Sequence, residues 1–470
     1  MFHLRTKTLL RAATVALVLS IGPITFAQAP QPVPGVIQES RATVRQRAAL
    51  VGHKKEITEV IFSPDGETLA TGSEDGTVRL WNVNRAETIA ILSLAEKHRL
   101  GGIVWSPDGR RVMTFSWRDY AKDIQLRVWD AGTGELKATI ETNYANYLSD
   151  RKWSPDGRLL LTASEDGTVE LWDAETGKLQ KSFEQSPLRP DETKSFVKSI
   201  FTLKKYADLR FTRGYFDSAG QSLLTLSYNH SPKLWDMASG KLRNNLPLTK
   251  EDPTDKYLSF PTDPLFSPDR RLVVRHDDDG VSLLDTTTGL VRHSLGEIGN
   301  PLAFSPDGLS LLVVTHGPMI KFRSGDDELK LYDVATGQLT LAFEKIPGGV
   351  NTIYWSPEGG HLVMVGSGRT KTRLLDTRTG RIKGRLPYEG CTSDAWWGSG
   401  GCEGFHFSAD GRITFKQKNP LKLWSTETGD LLATLEGMAG YARFSPTDKR
   451  LLVTRAKDKK SLVLWEVSNP

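Results

Sequence analysis

Two landmarks recur nine times along this chain, in the same order each time, and nothing else in it constrains the fold as tightly. The first is an aromatic residue followed by Ser-Pro-Asp-Gly or a relative, at Phe62, Trp105, Trp153, Phe216, Phe266, Phe304, Trp355, Phe407 and Phe444. The second is an ending of the Leu-Trp-Asp type, at Trp81, Trp129, Trp172, Trp235, Leu284, Tyr332, Leu375, Trp424 and Trp465. Self-similarity at such a period is the signature of an architecture built from one repeated supersecondary unit. The cleanest unit runs from Ile57 to Asn82, and a near copy ends at Asp173.

Inside a unit the pattern is that of short antiparallel strands. Stretches such as Thr77 to Trp81 alternate, so every second side chain falls on one face. Ser-Pro-Asp-Gly puts proline and glycine where a tight turn uses them, Ser73 to Gly76 is a second turn, and Thr-Gly or Ser-Gly after the Leu-Trp-Asp ending makes a third. Each unit is thus expected to be four short strands, a sheet too small to bury both of its faces alone.

These landmarks resemble the WD-repeat family over about residues 43–467. The resemblance implies an all-β fold: a single closed β-propeller of four-stranded blades, with nine blades preferred and eight the alternative. It also implies a buried hydrogen-bonded set in each blade. The first unit supplies His53, Ser73, Asp75 and Trp81, and the third Ser164, Asp166 and Trp172, with Tyr144 near its expected histidine position. Leu284 and Leu375 replace the tryptophan in the fifth and seventh units, which weakens that set there. The last unit stops at Trp465-Glu466 without a fourth strand, and Thr43 to Leu50 is placed to supply it. Pairing both chain ends would remove an exposed sheet edge.

The first residues read as an export signal rather than as fold. Arg5, Lys7 and Arg11 precede a mostly apolar stretch from Ala12 to Phe26, and Thr25-Phe26-Ala27 and Ala27-Gln28-Ala29 are both small-x-small cleavage patterns. Cutting after Ala27 is favoured, because the other cut leaves Pro30 first. A spanning helix needs roughly 20 apolar residues, and Gly22-Pro23 interrupts this run. The expected organisation is a signal peptide at 1–27, a flexible Pro- and Gln-rich leader at 28–42, and the propeller at 43–467. The expected location is periplasmic or extracellular. The signal segment carries three basic and no acidic residues, so the formal charge of +5 falls to +2 without it. So small a balance points away from nucleic acid. No membrane span is expected after cleavage, and the protein is expected to be monomeric. In an exported protein Cys391 and Cys402 read as a disulfide, closing a loop of about a dozen residues for roughly 3 kcal/mol.

Connection lengths separate the two sides of such a ring. From the aromatic to the next core position the spacing is seven residues in eight of the units and six in the eighth unit. From the Leu-Trp-Asp position to the next turn glycine it is five from the second unit to the eighth. The long excursions fall in the other two connections. They are Trp117 to Asp123 and His316 to Glu328 within units, and residues 185–209, 248–261 and 388–403 between units. By strand alternation these share one rim, as a binding surface would.

The candidate contact residues on that rim are Trp117, Arg118, Asp119 and Tyr120, together with Trp396 and Trp397 inside the cysteine-closed loop. Paired aromatics on a stapled loop suit a binding hot spot, or they plug the channel. Lys194 to Arg213 is basic, as a solvated insertion or as a dock for an acidic partner. Ser324 to Glu328 and His276 to Gly280 read as turns, since the second lacks the Glu of an EF-hand loop.

Catalytic signals are sparse. The chain has nine histidines in no metal-type spacing, no G-x-S-x-G elbow and no phosphate-binding glycine loop. Its D-x-x-T-G turns resemble those of quinone-cofactor propellers, but the Trp that should follow the glycine is missing. The reading is a non-catalytic platform for a protein or peptide, without metal or cofactor. The alternative is an exported enzyme or small-ligand binder that uses the channel mouth.

Overall fold

The computed structural model describes residues 36–37, 43–118, 123–141, 148–164, 167–184, 212–227, 230–245, 265–277, 280–296, 299–316, 327–346, 350–366, 372–386, 404–417 and 420–468. These form nine antiparallel sheets arranged as a β-propeller, one sheet for each repeat. Blade 1 shows the plan: strands Ile57–Phe62, Thr68–Ser73, Thr77–Asn82 and Glu87–Ser93 pair in sequence order, from the axis to the circumference. Among the described residues blade 5 has three such strands, Leu272–Asp277, Gly280–Asp285 and Val291–Ser294, with a bridge from Phe266 to Val273 at its innermost edge.

The second and third strands are apolar on both faces, because each blade is sandwiched by two neighbours. Val60, Phe62, Leu69 and Trp81 of blade 1 pack on Leu451, Val453, Leu462 and Leu464 of blade 9. Ala70, Val78 and Leu80 face the other way, onto Ile103, Trp105 and Val112 of blade 2. Adjacent positions on one strand thus serve two different cores. Burying a large apolar side chain contributes about 1.5–3 kcal/mol, so each shared layer is a large part of the stability.

Hydrogen bonds build the turns of one rim to a fixed pattern. In the first turn of blade 1, Ser63 Oγ donates to Asp65 Oδ1 at 2.5 Å and accepts from the Thr68 N–H at 2.9 Å. Gly66 takes φ 72° there, a left-handed conformation that glycine adopts without strain. Blade 5 has Arg270 at this position with φ 57°, and its guanidinium donates to the Phe216 carbonyl of blade 4. After the third strand, an Asp carboxylate receives a Thr N–H and hydroxyl, as Asp173 does from Thr176 at 2.8 and 2.7 Å. The spacing expectation needs one correction. Phe407 lies opposite Thr414, seven residues on as elsewhere, whereas Phe444 of blade 9 lies opposite Leu452, eight residues on. The extra residue sits in a turn, Pro446 to Arg450, that has no glycine.

Blade 9 is closed from the other end of the chain. Thr43–Leu50 pairs antiparallel with Leu462–Ser468 as the fourth, outer strand. Val36 and Ile37, inside the stretch expected to be a loose leader, pair with Leu435 and Thr434 as a fifth strand on blade 8. Leu50 is 1% exposed in the core shared by blades 9 and 1. Leu50→Ala is expected to lower unfolding stability by about 2–5 kcal/mol, measured by chemical denaturation. A loss below about 0.5 kcal/mol would mean that the closing strand carries no core load.

Candidate functional site

Three features converge on the insertion-rich rim: the buried hydrogen-bonded sets, the strand ends that carry the long segments, and charged groups on the inner strands. In blade 1 the His53 ring is held on both sides. Its Nδ1 lies 3.0 Å from Asp75 Oδ2 and its Nε2 2.8 Å from Thr71 Oγ1, and Trp81 Nε1 donates to the same Thr71 oxygen at 2.8 Å. These partners assign a neutral ring: the indole N–H donates to Thr71, the Thr71 hydroxyl to Nε2, and Nδ1–H to Asp75. Burial pushes the His53 imidazole below the usual histidine range, against the pull of Asp75. Burial alone would raise the Asp75 carboxyl, but bonds from Thr77, the Lys54 N–H and His53 hold it down to about 2.

The hub of this set is therefore Thr71. Ser73, named from the resemblance, lies one alternation further on, where its hydroxyl donates to the Lys55 carbonyl and receives the Asp75 N–H. The Thr–Trp bond recurs as Thr114–Trp129, Thr162–Trp172, Thr225–Trp235 and Thr454–Trp465, at 2.7–2.9 Å. In blade 3 the indole of Trp172 thus bonds Thr162, Ser164 is buried, and Asp166 and Tyr144 lie outside the described residues. Where the tryptophan is replaced, the threonine is too. Arg275, Val313 and Met364 stand at the Thr position of blades 5, 6 and 7, beside Leu284, Tyr332 and Leu375. A buried hydroxyl without its donor is costly, and the pair is kept or lost together in every blade but the eighth, where Trp424 stands with Lys416. The sequence signal is a Thr nine residues after the aromatic in blades 1–4.

Blade 2 carries a second histidine set that the sequence reading missed. His98 is buried, with Nδ1 3.2 Å from Ser116 Oγ and Nε2 3.4 Å from Asp123 Oδ2. Asp123 also accepts from Arg118 at 2.6 Å. The expected cluster is thereby divided. Trp117 is half-buried against the blade 2–3 core, with the Arg99 guanidinium 6.0 Å from its ring, and exposed Arg118 pairs across its hairpin. Asp119 and Tyr120 lie outside the described residues, as do Trp396, Trp397, Cys391 and Cys402 and the segments at 194–211 and 324–326.

Charged groups also lie along the inner strands of blades 9, 1, 2 and 3. Arg151 stacks 4.3 Å over Phe115 and donates to the Gly101 carbonyl at 3.2 Å. Gly102 lies beside its tip, where a Cβ would sit 2.8 Å from Nη2 and the guanidinium would have to shift. Burial pushes the Glu59 carboxyl up, while a bond from the Ile103 backbone and the charges of Arg151 and Arg443 oppose it. These groups tie neighbouring blades together. Among the described residues no three His, Cys, Asp or Glu side chains converge as a metal site, and no helix is long and apolar enough to cross a membrane.

Residues 44–82 and 134–173 match the family described as "WD domain, G-beta repeat". The chain is 25% identical over 246 residues to apoptotic protease-activating factor 1 of Rattus norvegicus, which covers 48% of this chain and 16% of that protein. It is 25% identical over 233 residues to autophagy-related protein 16 of Arabidopsis thaliana, 49% of this chain and 38% of that one. Small ribosomal subunit protein RACK1 of Schizosaccharomyces pombe is 36% identical over 66 residues, 14% of this chain and 20% of the relative. The matches thus span between a sixth and two fifths of these relatives' own lengths. The chain is a propeller of WD-type repeats.

Thr71→Val leaves the Trp81 N–H and the His53 ring without their shared partner, and is expected to lower stability by about 2–3 kcal/mol. Adding Trp81→Phe should recover part of that loss, so a double-mutant cycle by chemical denaturation should show coupling of about 1 kcal/mol. The folded state resists protonating His53 while the unfolded chain accepts the proton, so stability should fall as pH drops below about 6.5. Asp75 acts in a lower window: its contribution is present above about pH 4 and is lost as pH falls towards about 2. Unfolding curves of His53→Gln from pH 8 to 5 should be flatter than those of the parent. Parallel curves would remove the assigned neutral ring.

Proposed function

We propose that this protein is an exported, non-catalytic scaffold that binds a protein or peptide through the rim carrying its long connections. One observation supports the reading above the others: the described strand ends flanking every long segment lie on a single side of the ring. The excursions leave after Arg118 and His316, at the second-to-third-strand connections, and after Glu184, Asn245 and Leu386, where outer strands pass to the next blade. In an antiparallel blade those connections share a rim. The opposite rim keeps turns of nearly constant length, with one extra residue in blade 9.

Export rests on the positive and then apolar opening with its small-x-small site. A cut after Ala27 would leave Val36–Ile37 and the ring-closing strand Thr43–Leu50 in the mature chain. A non-catalytic role is supported by the inner-strand charges, which are engaged in holding adjacent blades. Trp396 and Trp397 are the proposed anchors, Cys391 and Cys402 the staple of their loop, and the mature protein is proposed to be monomeric.

The test is affinity capture from the exported fraction. Trp396→Ala/Trp397→Ala should lose a partner that the parent retains, with an unchanged melting temperature. Lys178→Ala/Lys241→Ala, on the opposite rim, should keep it. Identical partner lists for all three would overturn the assignment of the rim. Intact-mass analysis of the exported parent should give a chain beginning at Gln28, and a product retaining residues 1–27 would overturn cleavage.

A further inference from the structure

One position in the repeat breaks a rule that all the other blades obey. Two residues before the Leu-Trp-Asp landmark, the third strand faces a fixed position on the outer strand. That outer residue is Ile91, Thr139, Ser182, Asn245, Ser294, Ala342, Thr434 and Ala49 in blades 1–6, 8 and 9. None is charged. In blade 7, Arg373 on Thr372–Asp376 lies directly opposite Arg385 on Ile382–Leu386. Like charges at directly opposed positions of adjacent strands repel.

The burial sharpens the anomaly. Arg373 is 8% exposed, and among the described residues its buried Nη1 has no hydrogen-bond partner. It points to the same face as Leu375, which packs into the core shared with blade 6. Arg127, the equivalent cation of blade 2, donates to the Ser93 carbonyl at 3.0 Å. Among the described residues neither Arg373 nor Arg385 has a carboxylate within ion-pair distance. Burial, with the Arg385 charge beside it, holds the Arg373 guanidinium below its ordinary range. A buried cation with no acceptor is strongly disfavoured unless an anion completes it.

We propose that Arg373 and Arg385 form a binding site for a carboxylate or phosphoryl oxyanion between blades 6 and 7. Two planar guanidinium forks on neighbouring strands suit a tetrahedral or trigonal oxyanion, each able to donate twice. Arg385 is exposed and gives the anion its entry from solvent, while Arg373 forms the floor. The site opens beside the second-to-third-strand connection of blade 7, on the insertion-rich rim. It does not depend on a protein partner, so it stands or falls separately from the scaffold reading.

The full chain would be melted at matched ionic strength in chloride alone, with added inorganic phosphate, and with added acetate. The parent should show a saturable rise in melting temperature with at least one oxyanion. Saturation at lower phosphate than acetate assigns a phosphoryl ligand, and the reverse assigns a carboxylate. Arg373→Met, which fills the buried space without charge, should lose the oxyanion response while melting cooperatively in chloride. Arg385→Gln, at an exposed position, should fold normally and raise the half-saturating concentration at least tenfold. A parent that melts identically in all three salts would overturn the proposal, as would an Arg385→Gln protein that saturates like the parent.

Discussion

The rest of the structure depends on one backbone pairing between the two ends of the chain, Thr43–Leu50 against Leu462–Ser468. Among the described residues every other strand pairing but one joins neighbours in sequence, which short turns bring together at small entropic cost. The closing pair must instead recruit residues from opposite ends. Without it blade 9 would present Leu462, Leu464 and Trp465 on an open edge, and Leu50 would leave the core it shares with blade 1. Each blade is apolar on both faces, so an open ring would leave two such faces to water. Val36 and Ile37 extend the same device by one blade, because the segment that closes blade 9 first lies along the outer edge of blade 8. The exception, like the closure, belongs to the N-terminal segment.

Closure explains why the repeat tolerates so much variation inside. Once neighbours supply both apolar faces, a blade keeps its place by patterning alone, and its polar core becomes optional as a unit. Blades 1–4 and 9 retain a threonine beneath the tryptophan indole, whereas blades 5–7 have lost both members together. Blade 8 keeps Trp424 with Lys416 at the threonine position. Losing one member strands a buried donor or acceptor, while losing both exchanges a hydrogen bond for packing. The pattern in blades 1–7 and 9 follows that asymmetry, and blade 8 departs from it.

Much of this was legible in the residues. Strand alternation, turn chemistry and nine agreeing landmarks define the blades, and the missing fourth strand after Trp465 identifies its replacement near residue 43. The details that escaped share a cause, since one repeat read by analogy hides how hydrogen bonds are shared out. Ser73 and Thr71 sit two residues apart on the same face, and only distances show that the indole reaches Thr71. His98 precedes its aromatic by seven residues where His53 precedes its own by nine, so the spacing conceals their common role. The unequal turn before Leu452 lacks a glycine to mark it. The Arg373–Arg385 opposition needs the register of two strands, which a bulge between Leu374 and Leu375 shifts out of simple counting.

The two rims differ for a reason that lies in their turns. On the uniform rim most connections are closed hydrogen-bonded devices: a Ser hydroxyl held by an Asp two residues on, or an Asp carboxylate gripping a Thr before a left-handed glycine. Inserting a residue breaks the device, and blade 9 accommodates one only where the glycine has gone. The opposite rim is held differently. Two of its anchors, His53 to Asp75 and His98 to Asp123, join separate connections. A connection on that side can therefore lengthen while the strands beneath stay fixed. The same arrangement holds a rigid ring on one side and leaves the other free to acquire shape, which is the division of labour that recognition by a scaffold requires.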